Sequence, residues 1–122
     1  MPAPAKQSEF LLLLRQPPGP PPPPEILGPI MARFAEWMKG LEAQSIVVAT
    51  QGLEVTGKVV RGPCGAATVS DGPYAEGKEI VGGYVLLRVG DVGQALAAAR
   101  GCPGLDYGMA VEVRAIKSHH AN

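Results

Sequence analysis

Two segments of the chain are apolar on both alternating faces, and they constrain the fold more than any other feature. They are residues 10–14, Phe-Leu-Leu-Leu-Leu, and residues 83–89, Gly-Tyr-Val-Leu-Leu-Arg-Val. A strand with one face in water alternates apolar and polar side chains, whereas a strand buried on both faces does not. Both segments are therefore predicted to be central strands of a sheet that is covered on both sides.

A proline-rich segment, residues 16–24, follows the first strand. Proline has no N–H donor, so the segment cannot join a helix or a sheet, and we expect a stiff polyproline connector. An alternative is that it binds an aromatic groove of an SH3-like partner. Apolar side chains at the helical period then predict a helix from near Gly28 to near Ala43, with Pro29 in its first turn. Phe34 and Trp37 on this helix are predicted to be core residues.

The remaining elements complete an α+β order. They are strands at 46–49 and 109–116, a β-hairpin formed by 58–60 and 67–69, and a short helix capped by Asp91 and ended by Gly101 and Pro103. Without the hairpin the order is βαββαβ, the ferredoxin-like arrangement. Two helices cover only one face of such a sheet, so the doubly apolar strands predict that a second copy of the chain covers the other face.

Composition and charge argue against several classes of function. The 122 residues include 11 acidic and 11 basic side chains and no basic run, so nucleic-acid binding is not expected. No apolar run reaches the roughly 18 residues that span a bilayer, and the N-terminus lacks a signal-peptide layout. We expect one cytoplasmic domain over residues 1–122, with a flexible tail at 117–122.

Cysteine and histidine spacing predicts no metal site. Cys64 and Cys102 have no ligand-spaced companions and are expected to be free thiols, while His119 and His120 are adjacent in the tail. No glycine-rich nucleotide motif is present, and no cofactor is expected.

Residues 71–79 are Asp-Gly-Pro-Tyr-Ala-Glu-Gly-Lys-Glu and lead into Gly82-Gly83-Tyr84. This pattern resembles the signature of the YCII-related, or DGPF, domain family, in which D-G-P-F-x-E-x-K-E precedes G-G-[YF]. Tyr74 stands where the family usually has Phe. The resemblance implies a dimeric α+β barrel in which two sheets pack face to face. It also implies a His–Asp pair with the histidine at the start of the first helix, where this chain has none.

The same motif supplies the residues to which chemistry is assigned. Asp71 and Glu76 are the candidate general acid or base, and Lys78 is the candidate for stabilising an oxyanion. The candidate ligand-binding residues are Arg15, Tyr74, Glu79, Gly82, Gly83 and Tyr84. The structural alternative is a tight turn at residues 71–73 followed by a solvated charged rim.

Two functions from different classes fit these features. The favoured one is a small homodimeric domain that binds a small organic ligand in a pocket between the two sheets, with no established reaction. The resemblance suggests an accessory or sensing role linked to transcription regulation. The alternative is a cofactor-independent lyase, isomerase or dehalogenase-like enzyme that uses Asp71, Glu76 and Lys78.

Overall fold

The structure, a computed structural model, describes residues 7–72 and 79–117. Within these residues the elements in chain order are β1 (Ser8–Gln16), α1 (Pro24–Ala43), β2 (Val47–Gly52), β3 (Gly57–Arg61), β4 (Thr68–Gly72), β5 (Ile80–Val89), α2 (Val92–Arg100), a 3₁₀-helix (Pro103–Tyr107) and β6 (Ala110–Ala115).

The main sheet is antiparallel, with the strand order β2-β5-β1-β6. The two doubly apolar segments form β1 and β5, which are the two central strands. The strands β3 and β4 pair with each other as a separate hairpin. The predicted class, α+β with ferredoxin-like βαββαβ order and an inserted hairpin, is confirmed.

One face of the sheet packs against both helices and forms the core. Leu12 and Leu87 have no exposed surface, and Val85 beside them is almost completely buried. Alanines of α2 and Leu41 of α1 complete the core cluster. Because alanine side chains are short, α2 approaches the sheet closely. Packing against the helices therefore explains the apolar side chains on one of the two faces of β1 and β5.

The opposite face, here called the open face, is not covered by either helix. Leu11, Leu13, Tyr84 and Leu86 alternate with the core residues of β1 and β5, so they lie on this face. All four are only half-buried in the single chain. An ion pair at 2.8 Å between Arg88 and Glu9 lies at one end of the apolar patch.

The helix α1 begins earlier than the sequence predicted. It starts at Pro24 and not near Gly28, although it ends at Ala43 as expected. Proline is tolerated at the first helical position because its missing N–H would have no helical partner there. Pro29 consequently lies in the second turn and not in the first. The predicted cap of α2 is confirmed, since the Asp91 carboxylate accepts a hydrogen bond from the Gln94 backbone N–H at 3.0 Å.

The turn predicted at residues 71–73 is wrong at its first two positions. Asp71 and Gly72 are the last residues of β4 and pair with Lys58 and Gly57 of β3. A residue before proline is pushed towards extended backbone, which favours continuing the strand up to Pro73. Pro73 itself lies outside the described residues.

Candidate functional site

A cavity of about 570 Å³ lies between α1 and the core-facing side of the sheet. Leu14, Gly83 and Val85 form its floor, the proline-rich segment forms a wall, and Tyr107 of the 3₁₀-helix lies at its mouth. This volume is in the range of small-molecule sites.

Glycines on the sheet create this cavity. Gly52 of β2 and Gly83 of β5 are paired neighbours, and neither places a side chain beneath α1. A Cβ on Gly83 would lie 3.0 Å from the carbonyl oxygen of Gln51, and a Cβ on Gly82 would overlap the Gln16 carboxamide. Gly82 and Gly83, which were predicted to bind ligand, both line this cavity.

The apolar stripe of α1 faces this gap. Phe34, Trp37 and Met38 line the cavity and are half-buried, whereas the sequence predicted Phe34 and Trp37 to be core residues. Trp37 and Met38 also pack against the core cluster. The Trp37 indole donates a hydrogen bond to the Ala98 carbonyl at 3.0 Å, which fixes the ring between α1 and α2.

The proline-rich segment contributes a wall to the cavity in addition to joining β1 to α1. Residues 17–22 line the cavity. Their pyrrolidine rings are stiff and apolar, so they enclose space with little loss of conformational entropy. Gly19 adopts a φ of +134°, which side-chain-bearing residues rarely adopt, and this allows the chain to bend in the middle of the segment.

No described residue that lines the cavity is acidic, basic, histidine or cysteine. The polar side chains among them include Gln16, Thr50 and Tyr107. The Thr50 hydroxyl already donates a hydrogen bond to the Tyr84 carbonyl at 2.8 Å. Such a lining favours an uncharged, largely apolar ligand because a buried charge without a partner is costly.

A polar cluster joins α1 to the 3₁₀-helix at the mouth of the cavity. Arg33 donates hydrogen bonds to the Asp106 carboxylate at 2.7 Å and to the Tyr107 hydroxyl at 3.0 Å. These hydrogen bonds raise the pKa of Arg33, with Asp106 the larger cause. Tyr107 was not predicted from the sequence to be a site residue. The available signal was Pro103 followed by Gly108, a pattern typical of a short helical turn that ends in a left-handed glycine.

Of the predicted catalytic residues the structure describes only Asp71, and it does not line this cavity. The exposed carboxylate of Asp71, on the β3–β4 hairpin, forms an ion pair with Lys58. Tyr74, Glu76 and Lys78 lie outside the described residues.

Three predicted ligand-binding residues lie on the other side of the sheet. Tyr84 points to the open face, and Arg15 forms ion pairs there with Glu112 at 3.0 Å and Glu79 at 3.4 Å. The predicted ligand-binding residues that the structure describes are thus divided between the two faces of the sheet. The cavity of the single chain is on the helix-covered face, whereas the sequence predicted a pocket between the sheets of two chains.

A family model for the YCII-related domain matches residues 10–119, which is most of the chain. The chain belongs to the YCII-related domain family. Among curated proteins, none matches it. The recognition based on the motif at residues 71–79 is confirmed.

The two cysteines of this YCII-related domain differ in their surroundings. Cys64 is exposed and Cys102 is buried, and both are free. Burial raises the pKa of the Cys102 thiol, which lowers the fraction of reactive thiolate. Among the described residues, no three His, Cys, Asp or Glu side chains are grouped so as to hold a metal ion. No helix in the same residues is long and apolar enough to cross a membrane.

The ion pair between Arg15 and Glu79 is expected to contribute little to stability. Both side chains are about one-third exposed, and partly exposed ion pairs stabilise by about 0–1 kcal/mol. We expect Glu79→Gln to lower the free energy of unfolding in urea by about 0.5 kcal/mol. Glu54→Gln is the matched control, since Glu54 has no ion pair within the described part of the chain. A loss above about 2 kcal/mol would show that this end of the motif holds the fold together.

Proposed function

We propose that this YCII-related domain binds a small, largely apolar organic molecule in the cavity between α1 and the sheet. The observation that supports this most directly is a cavity of about 570 Å³ without a charged lining residue among those described. Proline rings, Phe34, Trp37 and methionine side chains supply the apolar surface. Burying such a ligand is favourable by about 25 cal/mol for each Å² of apolar surface removed from water.

We propose binding without an established reaction, in preference to acid–base catalysis. General acid–base catalysis needs a titratable group within hydrogen-bond reach of the substrate. Among the described lining residues none is acidic, basic, histidine or cysteine, and the Tyr107 hydroxyl already accepts a hydrogen bond from Arg33. The alternative, a cofactor-independent enzyme, would use Asp71, Glu76 and Lys78, of which only Asp71 is described, and it does not line the cavity.

We further propose that the functional unit is a homodimer built on the open face. Leu11, Leu13 and Leu86 present apolar surface there that the helices of the same chain do not cover. A two-fold dimer covers such a face with the same face of a second copy and needs no other partner. Packing two sheets face to face is a standard way to bury apolar faces.

An accessory or sensing role fits this combination. A ligand in the cavity contacts α1 and the core-facing side of the sheet, while the dimer would form on the opposite side of the same strands. Ligand binding can therefore alter the central strands that the two surfaces share. We propose that the domain reports the presence of its ligand to transcription regulation and does not transform it.

Filling the cavity tests the proposed site. Gly52 lines the cavity, and an ideal Cβ at this position has no atom within 4 Å, so Gly52→Phe has space for a new ring. The ring would occupy space that the ligand needs, so ligand binding should weaken. We expect the dissociation constant of a neutral dye such as N-phenylnaphthylamine to rise by about tenfold or more. Trp37, the single tryptophan of the chain, reports binding by energy transfer to the dye.

Gly57→Phe is the matched control for this experiment. Gly57 is on β3, its Cβ would also meet open space, and it does not line the cavity. Dye binding should be unchanged in this variant. Equal dye binding by wild type, Gly52→Phe and Gly57→Phe would contradict the proposal. Native mass spectrometry of the purified protein would identify a natural ligand that is retained.

A further inference from the structure

The cavity contains hydrogen-bonding side chains that are not fully used within the described part of the chain. Tyr107 is 44% exposed and lines the cavity, so it stands at the mouth. Its hydroxyl oxygen accepts a hydrogen bond from Arg33 Nη1 at 3.0 Å. The described residues supply no acceptor for the hydroxyl hydrogen. The Tyr107 hydroxyl is therefore held in place by Arg33 and remains able to donate a hydrogen bond to a ligand.

The charge at the mouth of the cavity is balanced. The positive charge of Arg33 is paired with the Asp106 carboxylate at 2.7 Å, and no described lining residue carries a charge. An anionic ligand would lose its hydration on entering the cavity, and the described lining residues offer no unpaired cation to compensate for that loss. An uncharged oxygen acceptor loses less on leaving water and still gains the Tyr107 hydrogen bond.

We propose that the ligand is an uncharged carbonyl compound with an apolar body, and that Tyr107 donates a hydrogen bond to its carbonyl oxygen. This inference rests on the proposed function, because it names the chemical class that the same cavity accepts. Tyr107 is then the residue that determines specificity, and Arg33 positions it. The proline wall, Phe34 and Trp37 contact the apolar body.

Two probes of the same shape distinguish the contribution of the hydrogen bond to binding from that of apolar contact. Acetylnaphthalene carries a carbonyl oxygen, and isopropenylnaphthalene carries a CH₂ group in its place. Calorimetric titration of each probe into wild type and Tyr107→Phe forms a thermodynamic cycle. We expect Tyr107→Phe to weaken acetylnaphthalene binding by about fivefold, the value of one neutral hydrogen bond, and to leave isopropenylnaphthalene unchanged. Wild type should bind the charged analogue naphthoate more weakly than acetylnaphthalene.

Several outcomes would overturn the inference. Equal weakening of the binding of both probes by Tyr107→Phe would show that Tyr107 only supports the wall of the cavity. If Tyr107→Phe changed the binding of neither probe, Tyr107 would have no part in ligand recognition. A selective loss for acetylnaphthalene in Gln16→Met but not in Tyr107→Phe would assign the hydrogen bond to Gln16. Tighter binding of naphthoate would contradict an uncharged ligand. In all these cases the wild-type protein still binds a probe in the cavity, so the proposed function stands. If wild type bound neither probe, the proposed function and the inference would both be rejected.

Discussion

Leu86→Lys is expected to abolish the homodimer proposed to form on the open face. Leu86 is opposite Leu11 on the open face, at the centre of the sheet and away from the helices. A lysine there would place a charge from each chain inside the proposed interface, and burying an unpaired charge costs several kcal/mol. We expect the dissociation constant of the dimer to rise by at least about a hundredfold. Sedimentation velocity at micromolar concentration measures this directly.

The matched control is Val60→Lys. Val60 lies on the β3–β4 hairpin and is 66% exposed, so the same charge is added outside the main sheet. This variant should sediment as wild type does. Circular dichroism should show that the Leu86→Lys chain stays folded, because Leu86 is not part of the core cluster. A wild-type chain that is a stable, well-folded monomer would refute the dimer.

Leu12→Ala is expected to lower the free energy of unfolding by about 2–5 kcal/mol, the range for deleting a buried leucine side chain. Leu12 has no exposed surface and lies at the centre of β1, between β5 and β6 and beneath the helices. The loss combines the transfer free energy of the missing atoms with the cavity that a rigid sheet cannot close. Urea denaturation at one fixed protein concentration measures the change, since the stability of the proposed dimer would depend on concentration.

Leu53→Ala provides the comparison for Leu12→Ala. Leu53 is 48% exposed and follows β2, so the same truncation removes little buried surface. We expect a change within about 0.5 kcal/mol. If the two variants were equally stable, the core would not be centred on β1.

The order of the elements was predictable because each depends on local patterns. Residues 10–14 and 83–89 are apolar on both faces, and the structure places both in central strands. Asp91 predicted the start of α2 because a carboxylate that caps a helix acts within one turn. The start of α1 was predicted too late because Pro24 was assigned to the connector, although proline also suits the first turn of a helix.

The candidate site was less predictable because strand periodicity shows which residues share a face of the sheet but not which face borders a cavity. The sequence grouped Gly82, Gly83 and Tyr84 into one ligand-binding surface. In the structure Gly83 lies on the cavity floor while Tyr84 points to the open face, as alternation along β5 requires. Tyr107 was missed because its neighbour Arg33 is 74 positions away in sequence. Contacts of that kind depend on how α1 packs, which no local pattern contains.

The sequence by itself determined the fold class, the family and the central position of two strands, because periodicity, turn residues and the motif at residues 71–79 are local properties. Only the tertiary structure decided that a cavity exists and where it lies. The cavity arises because Gly52 and Gly83 meet on adjacent strands beneath α1 while residues 17–22 close one side. These segments are distant in sequence, and an empty volume depends on all of them packing at once.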